Sequence, residues 1–219
     1  EWLKAAESCL QFLEDYCINR ELGGRMYFTV TKDGRPLRQR RYNFSEGFYA
    51  MANAEYYGLT GKTEHLERAR RAYNLIWDLN HGLIADPTGL GPKTIAATRT
   101  GRALADPMIY LNLTATLRRV DPDWADTYDQ RARQCVHDIF AYHRKPDMGC
   151  TLESVGPDGE FMDEFTAGRV VNPGHVIECS WFLLEEAGRL HDKQLLADTL
   201  AMYRDAIEAG WDKEYGGLL

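Results

Sequence analysis

The chain has 219 residues, of which 44% are hydrophobic and 27% charged, and its formal net charge is −7. The apolar fraction excludes a disordered chain, and the acidic balance argues against nucleic acid as the main partner, because phosphate binding needs a cationic surface. No stretch reaches the roughly 18 uncharged apolar residues of a membrane span, and the N-terminus lacks the pattern of a signal peptide. Because the chain opens with Glu1 and stops at Leu219 just after a glycine pair, we expect it to be a portion of a longer protein.

The first predicted elements are helices that flank a hairpin. Apolar side chains at helical spacing predict a helix over residues 2–17. The β-rich run 23–30, followed by an Asp33-Gly34 turn, predicts a hairpin. Helical spacing resumes over about 45–58 and 63–79. The candidate N-caps of these two helices are Ser45 and Thr63.

The later elements follow the same arrangement after a glycine- and proline-rich loop expected over 81–101. Asp106-Pro107 and Asp121-Pro122 each predict a helix start, with Asp as the N-cap, and these helices end near 119 and 143. A second hairpin is predicted at 148–153 with its turn at Asp158-Gly159. The remaining predicted elements are helices over about 173–190 and 193–209 and the start of a third hairpin at 215–217.

Two helices followed by a hairpin near a glycine therefore recur along the chain. Repeats of this kind stack helix pairs on their neighbours, and the natural closed form is a toroid of helix pairs, an (α/α) barrel. Seven predicted helices are an odd number for such pairs, which favours a chain that begins and ends within a repeat. The sequence predicts an all-α fold in which residues 1–219 form part of one domain, with an open solenoid as the alternative.

The strongest candidate for chemistry lies in the segment 168–182. Asn172 is a candidate N-cap and Pro173 the first helical residue, which puts His175 in the first turn. The helix dipole disfavours an imidazolium there, so we expect His175 to be neutral and able to accept a proton near pH 7. Glu178 lies on the same face, where it can orient the imidazole or bind substrate hydroxyls. The plain alternatives are a histidine that only caps its helix and a glutamate that is a surface charge.

A second candidate segment is 41–48. Glu46 would lie in the first turn of a helix capped by Ser45, where the helix dipole stabilises a carboxylate without any functional role. A basic cluster precedes it and is either a solvated hairpin face or an anion or sugar site. The members of the cluster are Arg35, Arg38, Arg40 and Arg41.

The cysteines and the remaining histidines do not indicate a metal centre. Five cysteines, an odd number without a CxxC pair, indicate reduced thiols in a cytoplasmic protein. The sequence contains neither HxxxH nor HExxH, so a helical metal site is not predicted. The histidines expected to be solvated on helix surfaces are His65, His137, His143 and His191.

A set of motifs spans nearly the whole chain in a fixed order. These motifs are Gly23-Gly24 with Asp33-Gly34-Arg35-Pro36-Leu37, Tyr42-Asn43-Phe44-Ser45-Glu46 with Met51-Ala52, Pro107-Met108-Ile109 with Asn112-Leu113-Thr114, Gly159-Glu160-Phe161 with Asp163, Gly168-Arg169, Asn172-Pro173-Gly174-His175 with Glu178, Trp181-Phe182, and Trp211-Asp212-Lys213-Glu214-Tyr215-Gly216-Gly217. In this ordered set the chain resembles the N-acylglucosamine 2-epimerase family, which includes the renin-binding proteins of animals.

The resemblance implies an (α/α)6 toroid of twelve helices, of which this chain supplies the middle part. It implies reversible epimerisation of N-acyl-D-glucosamine and N-acyl-D-mannosamine at C2, with His175 as one catalytic histidine and a second histidine outside the chain. It requires no metal and no redox cofactor, and ATP is a candidate activator. The implied partner is a small-molecule sugar, without nucleic acid or membrane, and a homodimer is a candidate assembly. The candidate substrate-binding residues are Glu178, Arg169, Asn172, Glu46 and Asn112.

One position bears on the branch of the family. Mannose-type isomerases and cellobiose 2-epimerases resemble this chain too but usually carry histidine where it has Thr114, which favours the N-acylglucosamine branch. We expect Thr114 to contribute to the pocket floor and not to proton transfer. Three alternatives stay open: a mannose- or cellobiose-type enzyme, a non-catalytic interaction protein, and an inverting glycoside hydrolase that uses Glu46 and Glu178.

Overall fold

The computed structural model describes residues 1–91, 93–95 and 101–218. Seven α-helices occur in this part of the chain, the shortest of 11 residues. They are α1 (Trp2–Phe12), α2 (Phe44–Thr60), α3 (Thr63–Asn80), α4 (Ala105–Val120), α5 (Ala125–Asp138), α6 (Pro173–Leu190) and α7 (Lys193–Gly210). The strands are β1 (Ile18–Asn19), β2 (Arg25–Val30), β3 (Pro36–Gln39), β4 (Arg102–Ala103), β5 (Arg144–Lys145), β6 (Cys150–Thr151) and β7 (Ser154–Val155). None of the described helices combines the length and apolar character that a membrane crossing requires.

The chain divides into two compact units, and the division falls within α4. Unit 1 comprises Glu1–Lys93 and Thr116–Ala125, and unit 2 comprises Thr94–Ala115 and Asp126–Leu219.

Unit 1 is built on the packing of α2 against α3, with α1 against α2. Ala50 and Ala54 lie one turn apart on α2 and are fully buried, as is Ala69 on α3. Small side chains at this spacing let two helices approach closely. The strands form an antiparallel sheet in the order β1-β2-β3.

The predicted turn between β2 and β3 is confirmed. Gly34 has a φ of +85°, and backbone bonds of 2.9 Å join Thr31 to both Gly34 and Arg35. A Cβ at Gly34 would lie 2.1 Å from the ring of Tyr16, so both the backbone angle and the space require glycine.

Unit 2 is built on the packing of α6 against α7, while β4 pairs with β7 and β5 with β6. Buried side chains recur every three or four residues on both helices, as an amphipathic helix requires. They include Val176, Cys179, Leu183 and Ala187 on α6 and Leu195, Thr199, Met202 and Ala206 on α7. At the end of α7, a Cβ on Gly210 would lie 2.5 Å from Pro173. The glycine therefore lets the end of α7 pack directly on the first residue of α6.

All seven helices were predicted, and three expected N-caps are wrong. Thr63 is the first residue of α3, whose cap position is occupied by Lys62. Ser45 lies inside the first turn of α2, whose cap position is occupied by Asn43. Asp106 lies inside the first turn of α4. Asp121 does occupy the predicted cap position, at the short turn Pro122–Trp124 that leads into α5, although its side chain makes no cap hydrogen bond. Its carboxylate accepts from Arg70 Nε at 2.6 Å instead, because a charged donor is a stronger partner than a backbone N–H.

The predicted second hairpin is wrong in its pairing. The turn forms, since Gly156 N–H donates to the Glu160 carbonyl at 2.9 Å, but β6 pairs with β5 before it, and β7 pairs with β4. The third predicted hairpin is supported by an antiparallel bridge between Trp211 and Leu218. Residues 92 and 96–100 of the predicted loop lie outside the described residues, and the described residues of 81–95 form neither helix nor strand.

Two histidines expected on the surface are buried. His65 is 5% exposed and its Nδ1 lies 2.7 Å from Asn53 Oδ1, and His143 is 1% exposed with Nδ1 at 2.9 Å from the Leu152 carbonyl. Both expectations are wrong because each ring has a polar partner on another segment, and a hydrogen bond lowers the free-energy cost of burying a polar ring.

Candidate functional site

The first turn of α6 has the cap that the sequence predicted. Asn172 has extended backbone angles and its Oδ1 accepts the backbone N–H of His175 at 3.2 Å, while Pro173 is the first helical residue. The cap satisfies a backbone donor that has no partner inside the helix, and it fixes the backbone of His175.

The imidazole of His175 is held by a carboxylate from another segment. Its Nδ1 lies 3.0 Å from Oε1 and 3.1 Å from Oε2 of Glu153. A hydrogen bond in this contact requires the proton on Nδ1, because a carboxylate can only accept. The side chain of His175 is 42% exposed, and Nε2 has no hydrogen-bond partner among the described residues. No described residue therefore competes with a ligand for a hydrogen bond to this nitrogen.

Glu153 was missed by the sequence reasoning. It lies between β6 and β7, 22 residues before His175, and no spacing rule connects the two. Its position is set by backbone bonds, since its N–H donates to the Val170 carbonyl at 3.0 Å and its carbonyl accepts from Leu104 N–H at 2.9 Å. The neighbouring Leu152 is 1% exposed and anchors the segment in the core.

Glu178 lies one turn after His175 on α6 and is partly buried. Burial, together with the negative charges of Glu178 and Glu153, raises the pKa of the Cys179 thiol to about 12. Two carboxylates thus act on one buried group beside His175, and the surroundings of the imidazole are acidic.

The other candidates in unit 2 lie on neighbouring segments. Arg169 ends the short helical turn Thr166–Arg169, is exposed, and donates to the carbonyl of Asp163. Asn112 is partly buried on α4, two residues before Thr114, whose buried hydroxyl donates to the Tyr110 carbonyl at 2.7 Å. Within the described residues, neither Arg169 nor Asn112 hydrogen-bonds to His175. Their roles, like the pocket role of Thr114, stay predictions.

Unit 2 also holds a cavity of about 190 Å³ beside the segment that carries Glu153. Arg102, Asp106 and Ser154 line it. Burial raises the pKa of the Asp106 carboxyl to about 6, which makes this group half-protonated in mildly acidic solution.

Glu46 lies in unit 1 and is 1% exposed. Its Oε1 accepts from Arg25 Nε at 2.7 Å and from Met26 N–H at 2.8 Å, whereas Oε2 is buried without a partner among the described residues. Substrate binding by Glu46 stays a prediction.

The arginine that the sequence reasoning missed is Arg25, which is fully buried. It bonds Glu46 and Asp86 and donates to the carbonyls of residues 40, 41 and 42. The basic cluster itself is different in character: the Arg35 side chain is 77% exposed beside Asp33, and Arg40 stacks 3.6 Å from the centre of the Phe28 ring. These contacts fit a solvated hairpin face, and an anion or sugar site on this cluster stays a prediction.

Metal-binding groups were sought over residues 1–91, 93–95 and 101–218. No group of three or more His, Cys, Asp or Glu side chains in this part of the chain is arranged to hold a metal ion.

Comparison with known proteins identifies a family and several relatives that the chain is similar to. The family N-acylglucosamine 2-epimerase (GlcNAc 2-epimerase) matches residues 1–219. The chain is similar to N-acylglucosamine 2-epimerase of Rattus norvegicus, with 35% identity over 219 residues that cover 100% of this chain and 51% of that protein. The corresponding protein of Homo sapiens is 32% identical over 217 residues, covering 99% of this chain and 50% of its own. The chain thus spans about half the length of these relatives.

A solved structure supports the fold. The crystal structure of a D-mannose isomerase matches with a TM-score of 0.76 at 18% identity, covering 99% of this chain and 56% of the other. With the seven described helices, this likeness confirms the predicted all-α fold class, a part of an (α/α)6 toroid built from helix pairs. Since the family match runs over every residue and includes the capped turn that carries His175, the chain belongs to the N-acylglucosamine 2-epimerase family.

Proposed function

We propose that the protein is a sugar 2-epimerase that interconverts N-acyl-D-glucosamine and N-acyl-D-mannosamine. The observation that carries the proposal is the half-exposed imidazole of His175, which is bonded through Nδ1 and has no hydrogen-bond partner at Nε2 among the described residues. Membership of the family and the names of the mammalian relatives support the choice of reaction.

The geometry suits proton transfer at a carbon next to a carbonyl. In the open-chain sugar, C2–H is adjacent to the C1 aldehyde, so Nε2 of His175 can take the C2 proton while the electron pair moves into the C1–C2 bond and charge develops on O1. Return of a proton to the opposite face of C2 inverts the centre. A histidine suits this task because its ordinary pKa lies near the working pH.

Inversion needs two acid/base groups on opposite faces of C2, and His175 supplies one. We propose that the second comes from the part of the relatives' domain beyond the half that this chain matches, so that residues 1–219 act as part of one larger barrel domain. The reaction moves a proton and no net electrons, so its balance requires neither a redox cofactor nor a metal. Activation by ATP and assembly as a homodimer remain expectations.

The substrate contacts follow from the chemistry of the neighbouring side chains. A guanidinium such as that of Arg169 can stabilise the charge that develops on O1. Glu178 can accept from sugar hydroxyls, and the amide groups of Asn112 and Asn172 can donate to them. In Asn172 only the NH2 group is available, because Oδ1 holds the helix cap.

The test is proton NMR of the full-length protein with N-acetyl-D-mannosamine in D2O, with and without ATP. We expect N-acetyl-D-glucosamine to appear with deuterium at C2. Faster turnover of D-mannose or cellobiose would identify the related branches, and release of glucose from cellobiose would identify a hydrolase. A folded protein that turns over none of these sugars would contradict the proposal and favour a non-catalytic interaction protein.

A further inference from the structure

We infer that Glu153 is a positioning residue for His175, which keeps the proton on Nδ1 and so makes Nε2 the nitrogen that exchanges a proton with substrate. The tautomer part of this inference stands on geometry alone, and the catalytic part rests on the proposed function. Glu153 itself is not expected to touch the sugar carbon.

The contact restricts the imidazole in two ways. Both carboxylate oxygens lie at nearly equal distance from Nδ1, at 3.0 and 3.1 Å, so the ring is held in one orientation. An acceptor on Nδ1 also selects the neutral tautomer with Nδ1–H, because the other tautomer would put two lone pairs in contact. In that tautomer Nε2 has its lone pair available and can act as a base.

The backbone that carries the carboxylate is fixed on both sides. Glu153 bonds through its N–H to Val170, just before α6, and through its carbonyl to Leu104, just before α4. A group anchored on both sides can hold the imidazole with little loss of side-chain freedom, and such preorganisation is what a reacting group requires.

The contribution of the His175–Glu153 pair to folding stability is a weak explanation for its presence. The side chains of His175 and Glu153 are 42% and 21% exposed. Pairs with this much solvent contact contribute little to folding stability. The pair is therefore better explained by control of the ring than by folding energy.

The direct test is the tautomer of His175 in the full-length protein. With ¹⁵N-labelled histidine, long-range ¹H–¹⁵N correlation at about pH 9, where an ordinary histidine is neutral, reports which nitrogen carries hydrogen. The His175 signal is assigned by its loss in His175→Gln. We expect Nδ1–H in the unmodified protein and a mixture in Glu153→Gln, because a glutamine amide can donate to Nδ1 as well as accept from it. An Nε2–H signal in the unmodified protein would overturn the inference without any variant.

The kinetic test separates positioning from binding. Glu153→Gln is expected to lower kcat for C2 exchange by at least about tenfold while KM changes less than about threefold. Glu185→Gln removes the same charge from an exposed site on α6 and is expected to change neither quantity. Equal kcat in the two variants would overturn the catalytic role of Glu153. If the unmodified protein shows Nδ1–H but catalyses no C2 exchange, the proposed function fails while the tautomer assignment stands.

Discussion

Replacing Arg25 by methionine is expected to destabilise unit 1 strongly. Arg25 is fully buried and Glu46 is 1% exposed, and the guanidinium bonds Glu46 Oε1 at 2.7 Å. The same group also donates to the carbonyls of residues 40, 41 and 42 at 3.2–3.3 Å. Methionine fills similar space but donates nothing, so the variant keeps a buried carboxylate without its cation.

The expected loss follows from the burial of both partners. Removing one member of a buried ion pair costs about 3–5 kcal/mol, because the remaining charge is left uncompensated. Asp86, the other anionic partner, is 27% exposed and can be hydrated, so we add nothing for it. A loss of this size is a large fraction of the roughly 5–15 kcal/mol that stabilises an ordinary protein.

The assay is urea unfolding followed by circular dichroism, with Arg35→Met as the control. Arg35 lies on the same hairpin, but its pair with Asp33 is 77% and 55% exposed, so its removal should cost much less stability than the removal of Arg25. Arg25→Met combined with Glu46→Leu should recover part of the stability, since no buried charge remains unpaired. If the Arg25 and Arg35 variants lost equal free energies of unfolding, the reasoning would be refuted.

Three further predictions concern pH and the helix cap. Burial raises the pKa of Asp106 from 3.8 to about 6, so its contribution to stability is present below pH 3.8 and is lost as the pH rises through 6. Asp106→Asn should therefore stabilise the protein at pH 8 by up to about 3 kcal/mol and hardly at pH 3.5. Equal effects of the substitution on urea unfolding at the two pH values would contradict this. Burial and the nearby Arg68 lower the pKa of His65, so stability should fall as the pH drops below about 6.5, and thermal unfolding of His65→Gln should show a weaker fall. Asn172→Ala and Asp192→Ala each remove a helix cap and should each cost about 1 kcal/mol, but only the Asn172 variant should lower kcat; equal kcat in both would show that the cap of α6 does not support the site.

The sequence predicts elements well where the signal is local. The start of α6 is marked by Asn172-Pro173, and the Asn172 side chain caps the helix as predicted. Asp192, for which no cap was predicted, caps α7 in the same way. The start of α2 is harder to predict, because the amide of Asn43 donates to Asn80 Oδ1 at 2.6 Å, a contact between residues 37 positions apart.

Only part of the site could be predicted, because only part of it depends on residues that are close in sequence. His175 follows from the cap and its place in the first turn, which are properties of a few neighbouring residues. Glu153 depends on the pairing of β5 with β6 and of β4 with β7, and two-residue strands carry too little pattern to fix their partners. Arg25 could not be distinguished by sequence from the exposed arginines of its hairpin, because its burial is set by Glu46 and Asp86.

The most direct test of the central claim is conversion of N-acetyl-D-mannosamine in D2O into N-acetyl-D-glucosamine with deuterium at C2, by the full-length protein and two histidine variants. His137 is the control, since its side chain is 60% exposed on α5. We predict that the unmodified protein and His137→Ala form this epimer at similar rates, and that His175→Ala is slower by at least about 100-fold, the usual contribution of a general acid/base. Epimer formation by His175→Ala within about threefold of the control would contradict the assignment of His175 as one of the two groups that move the C2 proton.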